Sequence, residues 1–506
     1  MKKTYYDFIK EISADELYDG LLGYGLFSEK LPPIFTSKNF LDYCKKQKQP
    51  PSSTTPTDYI HFDSIRNINI PRSFGIPNPI TYQSLCSCLK KHWKKIQQHF
   101  YEKTHSQKYK ISQTHLRKRK DTKSLFLMNY KNWKTDDNAN IDFLVGSRYI
   151  VYADISTCFP SIYTHSIPWA LVGKTNAKQK KGDKQWYNEI DTTARNINNQ
   201  ETKGLLIGTH ASNLLSEIIL VTIDKALHDN GWKYIRFIDD FKCYVSSYSQ
   251  GQKFLIDLEN ELHKFKLLLN FKKVNIQKLP IPLEENWVQK LKTYASLLLS
   301  ETSIIKFNQV SSFLDFTINL MKQNDDNSSI LKYAIKILSS KKTLSKNAIY
   351  LYTQYILHLS LLYPYIIPLL DEYIFKPFKL NKNRISDITQ KIYSSNLKNN
   401  NFEGVYYSIF FALEYDFKLD DNIVDKSIEN DSCLFKILSY LYAKKYNNKT
   451  MIKKLKSHAK DLYTNAETFE QNWLFVYEAL SINDLKAEWK AMKKNNVSFI
   501  KNDFLY

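Results

Sequence analysis

Phe237-Ile238-Asp239-Asp240-Phe241 sets two adjacent carboxylates between apolar runs at residues 234–238 and 241–245. Both runs are rich in β-branched and aromatic residues, so the segment predicts a tight hairpin with Asp239-Asp240 as its two-residue tip. Such tips ordinarily carry Asn-Gly or Asp-Gly, because positive φ costs Asp more than Gly. Two like charges there are also unfavourable until a cation neutralises them. The pair is therefore a candidate divalent-metal site, with a solvated acidic turn as the plain alternative. A third carboxylate, Asp154, lies about 85 residues upstream and ends the run 148–154. That run reads as a buried strand.

Other elements must position these carboxylates. Residues 203–218 read as a loop carrying Gly204 and Gly208 that feeds a helix, with apolar positions continuing through Ile219, Ile223 and Leu227. Asp229-Asn230-Gly231 is its stop signal. After the hairpin come an amphipathic segment, 254–268, and then Asn270-Phe271-Lys272-Lys273. The order is strand-Asp, Gly-loop-helix, Asp-Asp hairpin and Asn-x-x-Lys. It resembles motifs A to D of the reverse-transcriptase palm, and Arg72-Ser73-Phe74-Gly75-Ile76-Pro77-Asn78-Pro79 resembles the fingers signature. Within that superfamily, Ser161-Ile162-Tyr163-Thr164-His165-Ser166-Ile167-Pro168-Trp169 is similar to the abortive-infection (Abi) polymerases of AbiK type. The motifs cover residues 60–280, and His165 within them reads as a structural hydrogen-bonding residue.

The chemistry implied is nucleotidyl transfer, an in-line displacement at the α-phosphorus served by two metal ions about 4 Å apart. Mg²⁺ is the expected cofactor, with Mn²⁺ as the alternative, because hard oxygen ligands must converge from separate elements. Asp154 and Asp239 are the expected ligands and Asp240 the third member. The resemblance implies that the backbone carbonyl of Ile155 completes the nucleotide-side metal. Phe159, five residues after Asp154, falls where this family places a sugar gate favouring dNTPs; the alternative is a core phenylalanine. Arg72 and Lys273 are expected at the triphosphate, Arg72 through its fork geometry and Lys273 as a proton donor to pyrophosphate. Ordinary surface cations are the alternative for both.

Two departures from the family pattern matter. Leu206-Ile207 stand where templated enzymes carry Pro-Gln before the second glycine of motif B, and no recognisable thumb follows Pro282. The AbiK resemblance implies untemplated DNA synthesis primed on a protein tyrosine, in antiphage abortive infection. The product would be single-stranded DNA attached covalently to a homo-oligomeric enzyme. A hydroxyl must lie within near-attack distance of the α-phosphorus, and a phenol ionises more readily than a sugar hydroxyl. Of 35 tyrosines, Tyr5, Tyr6 and Tyr24 near the N-terminus are the priming candidates, Tyr24 because Gly23 and Gly25 would free its backbone. The competing readings are a template-directed RNA-dependent DNA polymerase and a catalytically inactive basic nucleic-acid-binding scaffold.

At 506 residues the chain exceeds one ordinary core. The expected class is α+β: a reverse-transcriptase-like fingers and palm domain over 1–300, with a helical N-terminal segment, then an all-α, irregular HEAT-like repeat domain over 301–506. Helical periodicity there falls at 311–321, 330–338, 347–362, 403–415, 431–444 and 469–480, and no acidic cluster of ribonuclease H type accompanies it. Net charge is +21, and residues 90–134 hold fourteen Lys or Arg against Glu102 and Asp121, leaving +12 in that stretch. Aromatics interleave with these cations, a footprint suited to single-stranded nucleic acid. The six cysteines have no metal or disulfide spacing and read as reduced, buried thiols. No signal peptide is seen, and the apolar run 349–370 is broken by Gln354, His358, Pro364 and Pro368. A cytoplasmic protein with no membrane span is expected.

Overall fold

A computed structural model describes residues 3–67, 70–126, 139–180, 182, 184–282, 285–298, 304–340, 344–419 and 422–506. The expected domain boundary at 300/301 lies outside the described residues, as do Tyr130, Lys131, Trp133 and Lys134 of the basic stretch.

The fold is α+β. Strands β1 (Tyr59–Asn67) and β2 (Ile70–Pro77) form an antiparallel ribbon. A second sheet has the order β4-β5-β3-β6, built from β3 (Tyr149–Asp154), β4 (Tyr234–Phe237), β5 (Asp240–Val245) and β6 (Asn275–Lys278). Every pairing in it is antiparallel. Strand β3 is paired on both sides and contributes Ile150, Val151 and Ala153 to the core, as its apolar run predicts. Behind the sheet run helices His210–Asp229 and Tyr248–Lys264. The first is capped by Thr209, whose hydroxyl accepts from Ser212 N–H, and it ends at Asn230 before Gly231 with φ +84°. That is the stop its sequence signals.

Beyond Lys278 the described residues contain helices and no strand. Helices Phe307–Lys322, Ser328–Ser340, Lys346–Leu362, Phe402–Tyr415 and Cys433–Lys445 lie where periodicity places them. The expected helix at 469–480 is interrupted at Asn472, giving Ala466–Gln471 and Trp473–Ala479. Among the described residues no helix is long and apolar enough to cross a membrane. The helical region folds back on the start of the chain: Thr36 N–H donates to Phe499 O (2.8 Å) and Lys501 N–H to Ile34 O (2.8 Å). One apolar core therefore runs from Tyr5 to Phe504. All six cysteines are unpaired and buried.

Candidate active site

Register alone brings two of the carboxylates level. Asp154 is the last residue of β3 and pairs directly with Asp240, the first of β5, while Phe237 pairs with Asp240 from β4. The tip therefore differs from the expected one by a residue: the two-residue loop is Ile238-Asp239, and Asp240 already belongs to the strand. Positive φ falls on Ile238 (58°) and not on the aspartates. A β-branched residue seldom adopts that conformation, so the turn is strained and must be held by its surroundings.

Arg236 does the holding. Its side chain is fully buried, and its Nη1 donates to Ile238 O at 2.7 Å. The rest of the guanidinium is bracketed by two carboxylates from one face of helix His210–Asp229. Nη1 reaches Glu217 at 3.1 Å and Nη2 reaches Asp224 at 2.6 Å. Tyr234 Oη also donates to Asp224 (2.9 Å). Burial pushes the Asp224 carboxyl upward, and Arg236 opposes that shift. None of these three residues was singled out from the sequence. The available signal was an arginine inside an apolar strand, with Glu217 and Asp224 two turns apart on an apolar helix.

Asp154, Asp239 and Asp240 converge so that one carboxylate oxygen from each lies within 4.8 Å of the others. Burial and the neighbouring Asp154 push Asp239 up, while Arg72 and Lys273 act on it in the opposite sense. Asp240 is raised to about 7, first by burial, then by Asp239 and by its hydrogen bond to Asp154. Three hard oxygen donors from two strands and a turn, mutually repelling and partly desolvated, fit a divalent cation.

Lys273 reaches the acidic cluster: its Nζ sits 2.9 Å from Asp154 Oδ2. Asn270 holds the same residue twice, through its backbone N–H to Asp154 O (2.8 Å) and its side-chain amide to Oδ2 (2.9 Å). The Asn-x-x-Lys segment thus grips the metal-site carboxylate, a role for Asn270 that its sequence position did not reveal. Ile155 is buried, and its N–H donates to Asp239 O (3.2 Å), tying strand to turn. Phe159 is also buried, and its carbonyl accepts from Leu205 N–H (2.9 Å). Gly75 N–H donates to Ile207 O (3.1 Å), joining β2 to the same loop. Gly208, at φ +114°, lets that loop pass Phe74, which a Cβ would meet at 3.2 Å.

The priming candidates are more firmly seated than their position suggests. Tyr5 is 2% exposed and packs on Phe100 and His115, and burial beside Glu217 raises its phenol well above the usual range. Tyr6 and Tyr24 are half-buried. Gly23 and Gly25 serve close packing rather than mobility: a Cβ would meet Leu41 at 2.7 Å and His210 at 2.6 Å respectively. His165 Nδ1 lies 2.6 Å from a carboxylate oxygen of buried Asp191 and donates to it.

The basic stretch is also partly internal. Arg117 is buried, stacks over Phe8 at 5.0 Å and donates to Gln113 O at 2.8 Å. Lys90, Lys91, Lys118 and Arg119 pair with Asp15, Glu189, Glu16 and Asp121. Cys88, His92 and Glu189 form a second potential ligand group. There Glu189 already meets Lys91 and His92, and burial pushes the Cys88 thiol up to about 12. A protonated thiol beside a neutralised carboxylate is a poor metal site.

Comparison with known proteins agrees with this geometry. The sequence model of the family "Reverse transcriptase (RNA-dependent DNA polymerase)" matches residues 77–304, which hold all three aspartates. Residues 77–304 are therefore similar to a reverse transcriptase domain, a fold whose family chemistry is nucleotidyl transfer. No curated protein matches the sequence. Among solved structures, apo telomerase from Candida tropicalis aligns over 78% of this chain and 73% of its own, at 13% identity and a TM-score of 0.30. A superposition so loose assigns no residue a role.

Proposed function

We propose that this protein is a DNA polymerase of reverse transcriptase type that adds dNMPs from dNTPs without a template, primes on one of its own tyrosines and serves antiphage abortive infection as a cytoplasmic homo-oligomer. The observation that carries the polymerase reading is the convergence of Asp154, Asp239 and Asp240 inside the matched domain. Asp154 and Asp239 would hold two Mg²⁺ ions, or Mn²⁺, with Asp240 as third ligand and the Ile155 carbonyl completing the nucleotide side. When bound, the metals would stabilise charge on the attacking and departing oxygens. Phe159 would exclude a 2′-hydroxyl, Arg72 would bind the triphosphate, and Lys273 would leave Asp154 to protonate pyrophosphate.

Template independence rests on the motif B loop. Leu206 is buried, and the Gly75 position leaves room for its side chain against β2. An apolar Leu-Ile pair there offers no side-chain amide with which to position a template–nucleotide pair. Residues 1–300 would form the polymerase and 301–506 a helical-repeat domain in place of a thumb. Tyr6 and Tyr24 are the accessible members of the proposed primer set; Tyr5 could act only if helix Tyr5–Lys10 left its seat.

The test is incubation of purified protein with Mg²⁺ and labelled dNTPs, without template or primer. The expected product is a protein band of increased mass that survives boiling in detergent and loses its label to nuclease. DNA made only with added template, and separating cleanly from protein, would favour the template-directed alternative. No incorporation under either condition would favour the basic scaffold.

A further inference from the structure

The fingers ribbon is held from two sides. On the palm side, Gly75 N–H bonds to Ile207 O. On the other side it meets the helical region. Glu403, in helix Phe402–Tyr415, is 6% exposed and directs its carboxylate at β1. One oxygen accepts from Ser64 Oγ at 2.7 Å and the other from Ile65 N–H at 2.8 Å. A second hold lies at the start of the strand, where Asp58 N–H donates to Glu470 at 2.7 Å and Gln471 donates to Asp58 at 2.8 Å.

Ser64 is the direct cross-strand partner of Arg72. Directly opposed residues share one face of an antiparallel ribbon, so fixing one fixes the origin of the other's side chain. Arg72 lies on β2 three residues before Gly75, whose N–H bonds to the motif B loop, so the strand opposite the Glu403 anchor carries Arg72 at the palm edge of the ribbon. A carboxylate costs several kcal/mol to bury unless its oxygens are met by good donors. Both oxygens of Glu403 are met, and by the strand opposite Arg72. A two-stranded ribbon alone is marginally stable and free to twist, which makes an external anchor effective.

We propose that Glu403 is a positioning residue for nucleotide binding: through Ser64 and Ile65 it sets the ribbon so that Arg72 meets the triphosphate. The helical region thereby controls dNTP affinity from outside the polymerase domain. This inference rests on the proposed role of Arg72 in that reaction.

The experiment measures kcat and KM for dNTP in Arg72→Ala, Glu403→Ala, Ser64→Ala and the double variant Arg72→Ala/Glu403→Ala, with a melting curve for each. Arg72→Ala and Glu403→Ala should each raise KM about tenfold or more, the loss of roughly one charge-assisted hydrogen bond, with a smaller change in kcat. Ser64→Ala should raise KM in the same direction by less. In the Arg72→Ala background, Glu403→Ala should change KM by less than about twofold, because the two act through one contact. An unchanged KM in Arg72→Ala removes the role of Arg72, and this inference with it. A raised KM in Arg72→Ala alone, with folded Glu403→Ala and Ser64→Ala unchanged, overturns the inference and leaves the role of Arg72 standing. An equal effect of Glu403→Ala with and without Arg72 also overturns it. If Glu403→Ala does not fold, Ser64→Ala alone decides by the same criterion.

Discussion

At Asp240, burial, Asp239 and the hydrogen bond to Asp154 together raise the carboxyl to about 7. An unfolded aspartate titrates near 4, so between about pH 4 and pH 7 the folded chain keeps a proton that the unfolded chain releases. The stability this group contributes is full below about pH 4 and is lost as pH rises through 7. Metal binding must displace that proton, so affinity for Mg²⁺ should fall as pH drops below about 7. Titration calorimetry in buffers of different ionisation enthalpy should record proton release near pH 6.5, and Asp240→Asn should abolish most of it. Replacing Asp239 and Asp240 together with Ala should abolish incorporation while changing unfolding free energy by less than about 1 kcal/mol, since the pair repels itself without metal. At Phe159, truncation to Ala should raise rNTP use relative to dNTP in competition assays. Unaltered discrimination there would assign the ring to packing alone.

The hairpin between β4 and β5 depends on a residue that never reaches the cluster it serves. Arg236 ties Ile238, in its strained conformation, to Glu217 and Asp224 on the helix behind. Removing the guanidinium leaves two carboxylates in the core with no cation between them. Arg236→Ala should therefore cost about 3–5 kcal/mol in urea unfolding, far more than loss of the metal-site aspartates. Any folded fraction should bind Mg²⁺ weakly, because the turn would relax away from positive φ. A variant as stable as the parent would show that the network is dispensable. The loop carrying Gly204 and Gly208 works similarly, joining Phe159 and β2 through its Leu205 amide and Ile207 carbonyl.

Across the whole molecule, the charge of +21 matters by where it remains unneutralised. Within the 90–134 stretch, Arg117 is part of the core, whereas Lys94, Lys108, Lys120 and Lys123 are exposed. Reversing those four lysines to Glu should weaken single-stranded DNA binding and flatten its log–log salt slope by up to about 3, because fewer counterions are released. Melting temperature should change little. Arg117→Glu should instead destabilise the protein, since it would bury an acid over Phe8 in place of a cation. A salt slope unaltered by the four-lysine change would reassign that surface to another role. The helical region, for its part, encloses the ribbon and the N-terminal segment in one core, so the two ends of the chain should unfold together.

Local rules in the sequence determined much of this protein. Strand β3 ending at Asp154, the helix stopping at Asn230-Gly231, the order of the acidic motifs and the main C-terminal helices all follow from periodicity, caps and turn residues. These depend on near neighbours, and neighbours are what a sequence displays. Tertiary structure decided the rest. Strand register moved the turn from Asp239-Asp240 to Ile238-Asp239, because Asp240 pairs with Asp154. Lys273 and Asn270 lie on Asp154 from 116 or more positions away, and Glu403 reaches Ser64 across 339. Burial of Tyr5 and Arg117, and the tight packing at Gly23 and Gly25, likewise depend on distant partners. The cost of burying a charge or a hydroxyl is set by the groups that meet it, and folding alone chooses those groups.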